Sequence, residues 1–368
     1  MSSSKTGRTR SKRLPGVLVV EDSTLMRELV TDLIDGSGAF RVIGQARTGY
    51  EAIRLVHELD PDLVTLDLEM PDLGGLDTLG YIMSEAPRPV VILSAHGRAG
   101  AGMTLEALER GAVDFVLKPA GDSREGAAEL RTQLIAALRV AARAELSNLT
   151  REPGGGGRRG ASRRGRAGRR AELAECLVAI AASTGGPRAL MELVPRLPAG
   201  LAAAVVVVQH MPARFTSMLA ERLHVSSALP VDEAEDGAPV RGGRVYIAPG
   251  GRHLVLKRAS GELVFALEDS EPVWGVRPAA DVCFRAVAQT CGPRSLGVVL
   301  TGMGRDGTRG LRAIREVGGW TAVQDRPTSA LFGMPRSAAP YARAVLPLER
   351  IASALAERVQ ELVRKRWA

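Results

Sequence analysis

A chain of 368 residues, 45% hydrophobic and 24% charged, has a globular composition and is long enough for two cores. Its longest apolar run, residues 201–208, is far below the roughly 18 residues of a membrane span, and the basic start before Pro15 has no signal-type apolar stretch. Membrane insertion is therefore excluded and a cytoplasmic location expected. The formal charge of +8 sits in two short segments: five basic residues in 1–13, and eight arginines against the single acid Glu152 in 151–170. The rest of the chain is slightly acidic, so the charge is no argument for specific nucleic-acid binding. Three cysteines, Cys176, Cys283 and Cys291, share no metal-ligand spacing and leave one unpaired, as expected of reduced thiols in a cytosolic enzyme.

After a basic tail (1–14) expected to be disordered, residues 15–142 alternate short apolar strands with amphipathic helices. The strands read "GVLVVED", "FRVIGQA", "LVTLDLEM", "PVVILSA" and "DFVLKP". Such alternation implies an α/β domain built on a parallel sheet with helices on both faces, whose functional groups gather at the carboxyl ends of the strands. Those ends carry Glu21 and Asp22, Asp67, Ser94, and Lys118 before Pro119. Each acid taken alone is a plausible helix cap. Three carboxylates at one sheet end repel one another unless a cation joins them, and Mg²⁺ suits carboxylates, a backbone carbonyl and waters.

With "MP" following the third strand, this set resembles a response-regulator receiver domain with (βα)5 architecture. The resemblance implies that Asp67 accepts a phosphoryl group, that Glu21, Asp22, Asp67 and the Glu69 carbonyl hold Mg²⁺, and that Ser94 and Lys118 contact the phosphoryl oxygens. A lysine and a metal are chemically apt there, because phosphoryl transfer depends on positioning and charge neutralisation. Gly74 departs from the Asp that many relatives carry in the turn after the third strand.

Residues 143–172 are expected to form a linker, since "REPGGGGRRGASRRGRAGRR" has too little apolar surface to offset the entropy of ordering. From 173 to 368 strand-like runs return: "CLVAIAAS", "AAVVVVQH", "GRVYIAP", "SLGVVLTG" and "WTAVQD". The first ends in Ser183 and breaks at "STGGP" into a helical pattern. A hydroxyl in that position can cap the helix, help hold an anion or serve as a nucleophile at a sharp turn. The second run ends in His210, the only one of five histidines that directly terminates an apolar strand, and Asp306 follows the fourth run in "TGMGRDG". Asp306 could equally cap the helix expected near Thr308. Together the three supply a nucleophile, a base and an orienting acid. Their chain order, Ser then His then Asp, and the absence of G-x-S-x-G point away from the common α/β-hydrolases.

The motifs "ASTGGP", "QHMP", "EAEDG", "VYIAPGGRHL", "RPAADVCF", "TGMGRDG" and "FGMPR" closely resemble the catalytic domain of the CheB family of chemotaxis methylesterases. The resemblance implies a doubly wound parallel-sheet domain that hydrolyses glutamate γ-methyl esters on chemoreceptor cytoplasmic helices, with glutamine deamidation as a second activity. It implies Ser183 as nucleophile, His210 as base and then acid, Asp306 as the group orienting His210, and the Met303 and Thr184 backbone N–H groups as the oxyanion site. No cofactor is implied for the ester chemistry. The expected partners are the methylated receptor domain and a CheA-type histidine kinase as phosphodonor. Two departures stand out: Ala181 replaces a common Gly, and Trp274, Gly275 and Val276 occupy a stretch that is commonly polar and basic. The competing functional class is a phosphorylation-controlled binding module with an idle esterase domain; the full Ser, His and Asp set weighs against it.

Overall fold

The computed structural model describes residues 13–119, 124–145, 148, 174 and 176–364. Nearly all of the expected basic tail and most of the expected linker lie outside the described residues. The chain divides into two compact units, organised by a five-stranded and a seven-stranded sheet.

The first sheet alternates strictly with helices: β1 (Gly16–Val20), α1 (Thr24–Asp35), β2 (Arg41–Ala46), α2 (Gly49–Leu59), β3 (Leu63–Asp67), α3 (Gly75–Glu85), β4 (Val90–Ser94), α4 (Arg98–Glu109), β5 (Asp114–Leu117) and α5 (Arg124–Ala141). The strand order is β2-β1-β3-β4-β5. β1, β3 and β4 are buried along their whole length, as their uninterrupted apolar runs require when both faces are covered. β2, at the edge, is largely exposed or half-buried. Helix starts follow local chemistry. The Ser23 hydroxyl accepts from the Met26 N–H at the start of α1, and the Thr48 hydroxyl accepts from Glu51 N–H at the start of α2. The order of strands reverses between β1 and β3, so a crevice opens beyond their carboxyl ends.

The second sheet is built from β6 (Cys176–Ala182), α6 (Gly186–Leu193), β7 (Ala203–Gln209), α7 (Ala213–Ser226), β8 (Val231–Glu233) and β9 (Arg244–Ile247), then, beyond a hairpin, α8 (Ala280–Cys291), β12 (Ser295–Val299), α9 (Thr308–Glu316), β13 (Trp320–Gln324), α10 (Gly333–Ala338), β14 (Ala344–Leu346) and α11 (Leu348–Arg364). The hairpin consists of β10 (His253–Ala259) and β11 (Glu262–Glu268). The sheet order is β14-β13-β12-β6-β7-β9-β8, and all its pairings are parallel. From β6 the chain first builds outward through β7 to β9 and then returns to the opposite side of β6 with β12. The topological switch point therefore lies between β6 and β12, where sites form in doubly wound sheets.

The five strands read from the apolar runs are all present, and the doubly wound architecture is as expected. The β10/β11 hairpin is an addition. It turns at Ser260 and Gly261, both at positive φ, as a two-residue hairpin loop of the primed type demands. Its strands alternate too weakly in polarity to stand out in the sequence.

α8 and α9 pack closely. A methyl group at Gly310 would press into Phe284 Cβ and lie 3.2 Å from the Asp281 Cα. Gly310→Ala is expected to lower stability by about 1–3 kcal/mol through overpacking, measurable as a reduced urea midpoint with an unchanged denaturant slope.

Candidate active site

Strand register brings the candidate catalytic residues together. Ala182 on β6 pairs with Gln209 on β7, so the residues that follow, Ser183 and His210, leave adjacent strand ends at the same level. The His210 N–H donates to the Ala182 carbonyl at 3.1 Å. On the other side of β6, the Ser183 N–H donates to the Thr301 carbonyl at 3.0 Å, which ties the nucleophile candidate to the loop carrying Met303 and Asp306. That loop approaches closely because Gly302 has no side chain: a Cβ there would sit 2.8 Å from Ser183 Cβ.

The capping reading of the Ser183 stretch is not what the structure adopts. The N-cap of α6 is Gly185 in the left-handed region, with φ of +74°, and no side chain caps the helix. The Ser183 carbonyl instead closes the turn by accepting from Gly186 N–H at 2.7 Å. The Gln209 amide donates to the Ser183 carbonyl at 3.0 Å and to the His210 carbonyl at 3.2 Å, bracing both strand ends. The Thr301 hydroxyl donates to the Thr184 carbonyl at 3.0 Å.

His210 Nε2 lies 2.8 Å from Asp306 Oδ2. Asp306 is only 2% exposed, yet its carboxylate is fully served. Oδ2 also accepts from Ala280 N–H at 2.6 Å, and Oδ1 accepts from Asp281 N–H and Gly307 N–H, both at 2.9 Å. Burial by itself would raise the Asp306 pKa, but the His210 hydrogen bond and charge, with the Asp281 and Ala280 N–H groups, outweigh it and hold the carboxyl below its ordinary value. The acid thus sits at the N-terminus of α8, where free N–H groups and the helix dipole favour negative charge. It does not side-chain-cap α9, whose N-cap is Gly307. An ionised carboxylate only accepts, so a neutral His210 carries its proton on Nε2 and leaves the Nδ1 lone pair as its base. This reverses the ring assignment of the chymotrypsin arrangement, where the acid holds Nδ1.

A further histidine, one that the sequence does not mark, is buried beside this site. His253, fully buried at the start of β10, accepts on Nδ1 from Ala279 N–H at 3.1 Å, which leaves Nε2 to donate to the Glu271 carbonyl at 3.1 Å. It orients the residue immediately before the two N–H groups that hold Asp306. It lies in the "VYIAPGGRHL" motif, which carries no local sign of what the histidine holds. Its role as a brace depends on β10, which the sequence reading did not include.

At the carboxyl end of the first sheet, ligand atoms of Glu21, Asp22 and Asp67 all lie within 4.8 Å of one another. Lys118 Nζ is 2.9 Å from Glu21 Oε2 and 2.8 Å from Asp67 Oδ2. Those two buried oxygens have no hydrogen-bonding partner besides that ammonium among the described residues. Burial, then the Asp67 charge, push the Glu21 carboxyl up to about 7, against the pull of Lys118. Two buried carboxylates and an exposed third, with one lysine between them, are short of positive charge, so the donor set fits a hard divalent cation. Glu69 N–H donates to Asp67 Oδ1 at 3.1 Å, placing the Glu69 backbone beside the cluster. Ser94, by contrast, shares a 2.7 Å hydrogen bond with the Thr104 hydroxyl. Cys176 and Cys283 are buried and Cys291 is half-buried, and none of the three is in a disulfide.

Residues 178–355 match the family described as CheB methylesterase, and residues 17–129 match the response regulator receiver domain. The chain is 44% identical over 375 aligned positions to a Symbiobacterium thermophilum protein named protein-glutamate methylesterase/protein-glutamine glutaminase, covering 96% of this chain and 99% of that protein.

The chain belongs to the CheB family.

A Pyrococcus horikoshii relative of the same name is 41% identical, with 94% of this chain and 93% of the relative covered. Among solved structures, the Thermotoga maritima CheB methylesterase catalytic domain is 45% identical, with a TM-score of 0.49 and coverage of 50% of this chain and 98% of that one. No helix among the described residues is long and apolar enough to cross a membrane.

Because the folded Asp306 pKa lies below its ordinary value of 3.8, the stability from its ionised form is fully present above that value and is lost as the pH falls through the lowered one. Asp306→Asn is therefore expected to cost most near neutrality, with the stability gap from the unaltered chain narrowing in strong acid. Urea unfolding across a pH series reads this directly.

Proposed function

We propose that the chain is a phosphorylation-regulated protein-glutamate methylesterase and protein-glutamine glutaminase acting on chemoreceptor cytoplasmic helices. The observation that carries this reading is the 2.8 Å pairing of His210 with Asp306, one strand end from Ser183 at the switch point of a CheB-family sheet. In this reading residues 15–142 are the receiver, 143–172 the linker and 173–368 the catalytic domain.

A serine hydroxyl is a weak nucleophile until a base removes its proton. Ser183 Oγ attacks the γ-carbonyl carbon of the methylated glutamate while His210 Nδ1 takes the hydroxyl proton. Asp306 holds the imidazole in the required tautomer and stabilises the imidazolium. Negative charge gathers on the carbonyl oxygen, where the Met303 and Thr184 N–H groups donate to it. Collapse breaks the ester C–O bond, and the imidazolium proton leaves with the methoxide as methanol. Water then attacks the acyl-serine, His210 again acting as base, and releases the glutamate carboxylate and free Ser183. With a glutamine side chain the leaving group is ammonia.

Asp67 accepts the phosphoryl group from a CheA-type histidine kinase. Mg²⁺ held by Glu21, Asp22, Asp67 and the Glu69 carbonyl would supply the positive charge that three carboxylates and a phosphoryl group demand. Lys118 already faces Asp67 and needs little movement to meet a phosphoryl oxygen. Ser94 reaches one only by giving up its bond to Thr104. The phosphoryl group adds up to about two negative charges, and its effect on the esterase rests on differential interaction with inactive and active states. The catalysis takes place in the cytoplasm, where receptor helices and kinase are found.

Methanol release from a methylated receptor cytoplasmic domain is expected to rise when a small phosphodonor and Mg²⁺ are added. Asp67→Asn is expected to abolish the rise and keep the basal rate, and a donor-dependent rise that survives in this variant would remove Asp67 from its role. Ser183→Ala is expected to lower turnover by three or more orders of magnitude, on the scale of about 10⁶ for serine-protease nucleophiles. Near-normal turnover would remove Ser183 from the mechanism.

A further inference from the structure

The catalytic loop continues from Met303 into Arg305 and Asp306, and α9 follows with Arg309. The Arg305 guanidinium lies 5.1 Å and that of Arg309 4.7 Å from the ring centroid of Trp274, so one exposed indole carries two cations. Neither guanidinium has a carboxylate or carbonyl partner among the described residues, whereas neighbouring arginines on the same helix are engaged. Arg312 pairs with Glu316, and Arg315 donates to the Ala342 carbonyl. Nearby acids offer no relief. Asp281 accepts from Trp274 Nε1 at 2.8 Å and from Gly310 N–H at 2.7 Å, and Asp306 is committed as described.

Trp274 is held out for this position. Val273 and Val276 exchange backbone hydrogen bonds at 3.2 Å across a tight turn, with Trp274 at φ +59° and Gly275 at φ +77°. A bulky residue in the left-handed region is strained, because its Cβ crowds the following carbonyl oxygen. That strain is offset here by the part-buried Asp281 bond and by stacking under two cations. The outcome is a rigid, 40% exposed aromatic platform with two guanidinium edges left free to donate. Gly302 packs against Ser183 and Arg305 follows it by three residues, so the Cα atoms of Gly302 and Arg305 are at most roughly 11 Å apart.

We infer that Trp274, Arg305 and Arg309 form a carboxylate-binding subsite, which selects acidic polypeptide segments and seats them with the ester over Ser183. The inference rests on the esterase reading of Ser183 and deepens it by assigning the substrate's chemistry: a helix whose acidic side chains flank the reacting one. A planar guanidinium fork matches a carboxylate bidentately, and stacking on the indole fixes its plane before substrate arrives, reducing the ordering cost of binding.

The test uses the full chain and two probes: a Glu-rich helical peptide with one glutamyl methyl ester, and a small neutral ester. The wild-type chain is expected to bind the fluorescently labelled peptide with an affinity that falls steeply as salt is raised, and to prefer it over the neutral ester in kcat/KM. In R305Q/R309Q the preference is expected to drop about tenfold and the salt dependence to flatten, while R305K/R309K, which keeps the charge but lacks the stacked fork, keeps the salt dependence and recovers only part of the binding. Peptide binding and preference that match wild type in R305Q/R309Q overturn the inference, as does a wild-type chain that does not bind the acidic peptide. If the wild type binds the peptide through these arginines but hydrolyses neither ester, the esterase reading falls and the subsite stands. Circular dichroism of each variant separates lost binding from lost fold.

Discussion

The carboxylate of Asp306 is the point on which the second sheet's chemistry turns. It accepts three backbone N–H groups and one imidazole, and these come from different parts of the chain: the start of α8, its own loop and the end of β7. A buried negative charge is tolerated only when paired and hydrogen-bonded. Satisfying it therefore fixes α8 against the β12 loop, and both against His210. His253 extends the same constraint outward by anchoring the residue before the two α8 donors, and Gly310 lets α9 pack closely on Phe284 and Asp281 of α8.

The cluster of the first sheet balances charge in the opposite way. Asp306 is stabilised as an anion by a full set of donors, but Glu21 and Asp67 share one lysine and remain short of positive charge. One carboxylate has a full set of donors; the other two share a single ammonium. Both sites lie where strand order reverses, because there the neighbouring loops diverge and leave room for a ligand.

The sequence carried the candidate site well wherever it marked strand ends. Ser183, His210 and Asp306 each follow an apolar run, and parallel pairing of β12, β6 and β7 brings such ends together. It also carried the acidic cluster, for the same reason. Other features were beyond its reach because they depend on contacts distant in the chain. His253 carries no local signal because its partners are the backbone groups of Glu271 and Ala279, 18 and 26 residues away in the chain. Nothing local distinguishes Asp306 as a partner of α8 from Asp306 as a cap of α9. The turn at Trp274 and Gly275 broke the expected polar pattern without indicating what the indole would hold.

The switch point also orders events in time. His210 and Asp306 are 96 residues apart in the chain, with β9, the hairpin and α8 made between them. During synthesis at about 5–20 residues per second, the histidine would precede its acid by about 5–20 s. For that interval a nascent chain has a serine and an imidazole at strand ends but no group to fix the tautomer. The contact between His210 and Asp306 therefore closes only when the far side of the sheet has been laid down.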